Sequence, residues 1–140
     1  MLLLFAEKLL MMSPEKTVLI IEDEPDAAEL FAEMMRVSGF RVQKTSSSAP
    51  AIHMMTTEKP DVVLLDIMMP EVSGLDILRQ MRHDPNLANI PVIVVSAKSM
   101  PADIKNGMEA GASTYLTKPV CFLELKEAVE RALGNPSTTA

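Results

Sequence analysis

Between Thr17 and Leu133 the chain changes period five times, from a short apolar run to a longer segment with apolar residues at helical spacing. That alternation restricts the fold more than any single motif does. TVLII (17–21) precedes a helix predicted over 26–38, with Ala27, Leu30, Phe31, Met34 and Val37 on its inner stripe and Gly39 as its stop. FRVQKT (40–45) precedes a helix over 48–58, capped by Ser47 or Ser48, with Ile52 and Met55 facing inward. DVVLLD (61–66) leads to a third helix opening at Ser73, where Asp76 stands as a reciprocal cap and Ile77, Leu78 and Met81 form the stripe. Asp84-Pro85 ends it. IPVIVV (90–95) precedes a helix over 102–109 before Gly111, and STYLT (113–117) precedes a last helix carrying Phe122, Leu125, Val129, Ala132 and Leu133.

Five consecutive strand–helix units predict an α/β fold, a parallel sheet covered by helices on both faces. Strands buried on both faces are apolar throughout, and the first, third and fourth runs are so. RVQKT alternates with polar residues and STYLT is milder, which assigns these two to the edges. The doubly wound, flavodoxin-like (βα)5 arrangement with strand order 2-1-3-4-5 satisfies that requirement. A length of 140 residues fits one domain, over residues 15–134, with the turn-like GNPSTTA (134–140) leading into a frayed tail at 135–140. The opening MLLLFAEKLLMM is too short to span a bilayer and is interrupted by Glu7-Lys8. Residues 1–14 are therefore expected as an extra N-terminal apolar segment, a short helix docked on the domain, a partner or a membrane surface. Read as an upstream extension instead, the segment leaves Met12 as a start.

The net charge of −6 excludes a general nucleic-acid surface, which needs a basic patch. One cysteine, Cys121, cannot form an internal disulfide and fits a reducing, cytoplasmic compartment; its apolar surroundings predict a buried, inert thiol. His53 and His83 flank helices and are expected in solvent. The twelve methionines are expected to fill gaps in the core.

Strands of a parallel sheet end on one edge, so the residues just past each end are neighbours in space. They are Glu22 and Asp23 after the first strand, Asp66 after the third, Ser96 after the fourth and Lys118 after the fifth. Taken singly, each reads as a turn or cap residue; five polar residues at the ends of strands in this topology are hard to produce by chance. Clustered carboxylates repel unless a cation joins them, and hard oxygen ligands without convergent His or Cys favour magnesium over zinc. An ion, an ammonium and a hydroxyl are what a transferring phosphoryl group requires as its charge spreads. On these grounds either Asp23 or Asp66 serves as nucleophile. Asp66 is favoured because it stands alone at a central strand.

IIEDEPD, LLDIMMPEVSG, VVSAKS and YLTKP, in this order and spacing, resemble the receiver domain of two-component response regulators over residues 17 to about 133. The resemblance implies that Asp66 takes a phosphoryl group from a histidine kinase or phosphotransfer protein. It implies that Asp23, Asp66 and the backbone carbonyl of Met68 hold Mg2+, with Glu22 acting through water. Lys118 is implied to contact the phosphoryl group, Ser96 to be the switch hydroxyl and Tyr115 the aromatic switch residue. Such a chain catalyses only its own phosphorylation and slow autodephosphorylation, and signals through the surface of its fourth helix, fifth strand and fifth helix. That surface, or the N-terminal segment, is where a homodimer is expected. Two rivals fit less well. A magnesium-dependent aspartyl-phosphate phosphatase carries a second acid two residues after its nucleophile, where this chain has Met68; a flavin protein needs a hydroxyl- and glycine-rich first loop, where this chain has EDEPD.

Overall fold

The computed structural model describes residues 15–70 and 72–134, so the expectations for residues 1–14 and 135–140 lie outside the described residues. Five parallel strands run β1 (Thr17–Ile21), β2 (Arg41–Thr45), β3 (Val62–Leu65), β4 (Val92–Ser96) and β5 (Thr114–Thr117), in spatial order 2-1-3-4-5. Each is followed by a helix: α1 (Pro25–Val37), α2 (Ser48–Glu58), α3 (Gly74–His83), α4 (Pro101–Ala110) and α5 (Phe122–Ala132). The two half-polar strands take the two edges, because an edge covers less of its faces. The fourth strand begins at Val92 and includes Ser96, which pairs with Thr117 of β5. Ser96 is thus the last ladder residue, one step inside its predicted place.

Side chains alternate across the strands, and the sheet has two cores for that reason. Val18, Ile20, Leu64, Ile93 and Val95 pack with Phe31, Ala32 and Met35 of α1 and with Leu125, Ala128 and Val129 of α5. Leu19, Ile21, Val63, Leu65 and Val94 pack on the other face, with Ala51 and Met55 of α2 and Ile77, Leu78 and Met81 of α3. Burying each such side chain contributes about 1.5–3 kcal/mol. Arg82 of α3 fastens the far end of this layer. Its guanidinium donates to the carbonyls of Gly111, Ala88 and Ile90 at 3.0, 3.1 and 2.8 Å, joining α3 to the end of α4 and to the approach to β4.

Several expected core positions lie elsewhere. In α1 the buried stripe is Ala28, Phe31, Ala32 and Met35, while Leu30 and Val37 are exposed. The helix is rotated by about one position, because an apolar period shows only that a stripe exists and packing on the sheet sets its angle. Phe122 is exposed at the start of α5, one turn before the helix reaches the sheet at Leu125. Cys121 is also exposed, at the N-cap of α5 rather than inside it. Methionine is divided: Met35, Met55 and Met81 fill the core, but Met68, Met100 and Met108 face solvent, as do His53 and His83. Ser73 caps α3 through Leu75 N–H, while the Asp76 carboxylate turns to Arg79 instead of closing a reciprocal cap.

The entry to α3 depends on a close approach that only glycine permits. A Cβ at Gly74 would stand 2.5 Å from Ile67 Cα and 2.6 Å from the carbonyl oxygen of Asp66. Both obstacles are backbone, so relief requires the loop after β3 to move. Gly74→Ala is expected to destabilise the chain by about 2–3 kcal/mol, measured by urea unfolding. An unchanged midpoint would show that this loop yields freely.

Candidate functional site

Backbone hydrogen bonds continue past the strand ends and hold the polar residues in line. Glu22 N–H donates to Thr45 O, Asp66 N–H to Ile21 O and Lys118 N–H to Ser96 O, at 3.1, 3.0 and 2.8 Å. The carboxyl ends of four strands thereby set Glu22, Asp23, Asp66, Ser96 and Lys118 along one edge of the sheet. The carboxylates of Glu22, Asp23 and Asp66 each offer an oxygen within 4.8 Å of the others. Glu22 and Asp66 are buried; Asp23 is half-buried and faces a cleft of about 190 Å3 lined also by Ser46, Ser47, Met69 and Pro70.

Lys118 closes the cluster. Its ammonium donates to Glu22 Oε1 at 2.6 Å and to Asp66 Oδ2 at 3.1 Å. The other Asp66 oxygen accepts from Met68 N–H at 2.9 Å, which fixes the carboxylate plane. Phe31 lies beneath the ammonium, its ring centre 5.8 Å from Nζ, a contact that adds cation–π attraction. Phe31 was legible only as a core residue; nothing in its spacing announces a second contact.

Burial opposes ionisation here. Glu22 is pushed up to about 7, first by its burial and then by the neighbouring Asp66, against the pull of Lys118. Burial draws Lys118 down, but hydrogen bonding and charge from Glu22 and Asp66 outweigh it and its pKa rises. The Tyr115 phenol is raised by burial, then lowered by its approach to Ser96, with the charges of Asp103 and Asp66 adding to the rise.

The switch candidates meet one loop. Ser96 is fully buried, and its Oγ accepts from Lys98 N–H at 3.1 Å. Tyr115 donates its hydroxyl to Lys98 O at 2.7 Å. All six predicted side chains therefore lie at or beside one edge, with Ser96 and Tyr115 joined through Lys98 rather than to each other. Met68 is exposed beside Asp66 and brings no second acid.

The model of the response regulator receiver domain matches residues 18–130. The chain belongs to this family. The polar-differentiation response regulator DivK of Brucella ovis is 33% identical over 120 residues, covering 86% of this chain and 98% of that protein. The receiver domain of a Pseudomonas aeruginosa sensor histidine kinase, solved with magnesium coordinated in its active-site cleft, superposes with a TM-score of 0.80 at 27% identity; the match covers 87% of this chain and 100% of that one. A receiver domain of a signal transduction histidine kinase from Syntrophus aciditrophicus gives 0.79 at 30% identity, covering 89% and 95%. This receiver thus has the fold of a two-component signalling module and an acidic cluster suited to a divalent metal. Among the described residues no helix is long and apolar enough to cross a membrane.

The raised Glu22 couples the stability of this receiver to pH. A carboxyl above its ordinary value binds, in the folded chain, a proton that the unfolded chain has released. Stability is therefore lost as pH climbs from about 4.5 to about 7. Without metal, Glu22→Gln is expected to be more stable than the parent at pH 8 by about 1–3 kcal/mol and similar to it at pH 4. Urea unfolding with a chelator at the two pH values checks this; an equal difference at both would mean that Glu22 titrates normally.

Proposed function

We propose that this receiver is a phosphorylation-driven switch in which Asp66 accepts a phosphoryl group from the phosphohistidine of a histidine kinase or phosphotransfer protein. The observation that supports it is the position of Asp66: a buried carboxylate with Oδ2 on Lys118 and Oδ1 on Met68 N–H, beside two further acids. The donor set is all oxygen and the three acids lie close enough to share one ion, so the site fits magnesium. Asp23, Asp66 and the Met68 carbonyl would hold it, with Glu22 behind through water. Bound there, Mg2+ supplies positive charge against the phosphoryl oxygens.

An Asp66 carboxylate oxygen attacks phosphorus in line with the P–N bond. That bond breaks, its electron pair passes to the histidine nitrogen, which is reprotonated, and an acyl phosphate remains on Asp66. Lys118 is a point charge for one phosphoryl oxygen, already within reach of Asp66. The Ser96 hydroxyl, whose oxygen accepts from Lys98 N–H, has its proton to donate to another. Turning towards the phosphoryl group takes Ser96 away from the Lys98 amide, so the loop after β4 shifts. Tyr115, bonded to the carbonyl of the same Lys98, follows it. The two packings exchange in population, and the new contact decides which prevails. Output then passes through the surface of α4, β5 and α5 to a protein partner or a second copy of the chain. Met68 in place of a second acid disfavours the phosphatase reading, and its thioether cannot orient an attacking water as an amide can.

Asp66→Asn is expected to abolish labelling by acetyl phosphate with magnesium; persistent labelling rejects Asp66 as the acceptor. Tyr115→Ala should still be labelled yet lose the beryllofluoride-dependent change in hydrogen exchange over residues 97–110. Loss of labelling as well would assign Tyr115 a structural role.

A further inference from the structure

Gly107 occupies the buried side of α4, where a glycine weakens a helix and Ala would ordinarily strengthen it. Its surroundings give the reason. A Cβ at this position would stand 2.7 Å from Tyr115 Cδ2 and 2.9 Å from Cε2. Beyond its own helix and chain neighbours, those are the only heavy atoms of the described residues within 4 Å. The missing side chain leaves a recess in α4, and the Tyr115 ring lies in it with its hydroxyl on the Lys98 carbonyl. The helix, the ring and the loop after β4 are thus in one chain of contact that leads, through Lys98 N–H, to Ser96.

We propose that Gly107 is the positioning residue for Tyr115: its bare Cα forms the seat that holds the ring against α4 and on the Lys98 carbonyl before any phosphoryl group arrives. The consequence for signalling rests on the reading of Tyr115 given above. A seat already open biases the resting chain towards the seated ring, so that a side chain at residue 107 resets the balance without touching the acidic cluster.

Tyr115 is the only tyrosine and the chain has no tryptophan, so ultraviolet fluorescence reports on this ring alone. In the unphosphorylated chain, Gly107→Ala is expected to raise acrylamide quenching of that fluorescence towards the value of the unfolded chain. Unchanged quenching would overturn the proposal. A second measurement separates seating from helix propensity. Gly107→Ala should raise the urea midpoint more in a Tyr115→Ala background than in the parent, because the obstacle is then gone. Equal shifts in the two backgrounds, or a double variant less stable than Tyr115→Ala alone, would show that Gly107 serves something other than the ring. If the single variant fails to fold, the double variant carries the same test. No phosphodonor is present in either measurement, so a failure of Asp66 labelling leaves the seat standing and a failure of the seat leaves Asp66 standing.

Discussion

Two acids buried at the end of a hydrophobic sheet are tolerable only because Lys118 stands between them. Glu22 and Asp66 are almost wholly withdrawn from solvent, and moving a carboxylate out of water costs several kcal/mol even after relaxation. The ammonium meets both, and the backbone amide of Met68 meets the remaining Asp66 oxygen. The arrangement is compensated but not neutral: three carboxylates face one ammonium, and burial wins over attraction at Glu22. A cluster so arranged is suited to a further positive charge.

The sheet is what makes that balance durable. Val18 to Ile21, Val62 to Leu65 and Val92 to Val95 are covered on both faces, and their ladder bonds run on to the site residues themselves. The two buried acids therefore continue from close-packed strands, where small displacements are costly. The residues beyond β4 are different. Ala97, Lys98, Ser99 and Met100 are exposed, held by the Ser96 hydroxyl on one side and the Tyr115 phenol on the other. A fixed site beside a loop with two side-chain attachments suits conversion of a local charge change into a change of surface.

Much of this was legible in the residue order. Apolar strands separated by helical stripes carried the topology, and the half-polar composition of RVQKT and STYLT carried the edges. The parallel arrangement then implied that Glu22, Asp23, Asp66, Ser96 and Lys118 would meet. What misled was helix phase. Leu30, Val37 and Phe122 match an apolar period yet face outward, because the period states that a stripe exists and packing chooses its angle. Cys121 misled similarly, its apolar neighbours belonging to a helix that starts one residue later.

The sequence alone determined which elements form, their order in the chain and the identity of the residues at the sheet edge, since those follow from local periods and strand ends. Tertiary structure alone decided that Lys118 bonds two acids, one of them 96 positions away, that Phe31 underlies it and that Tyr115 lies in the recess of Gly107. The physical reason is range. Backbone periodicity acts over a few residues, whereas a hydrogen bond or a van der Waals contact across the fold depends on how every intervening element packs.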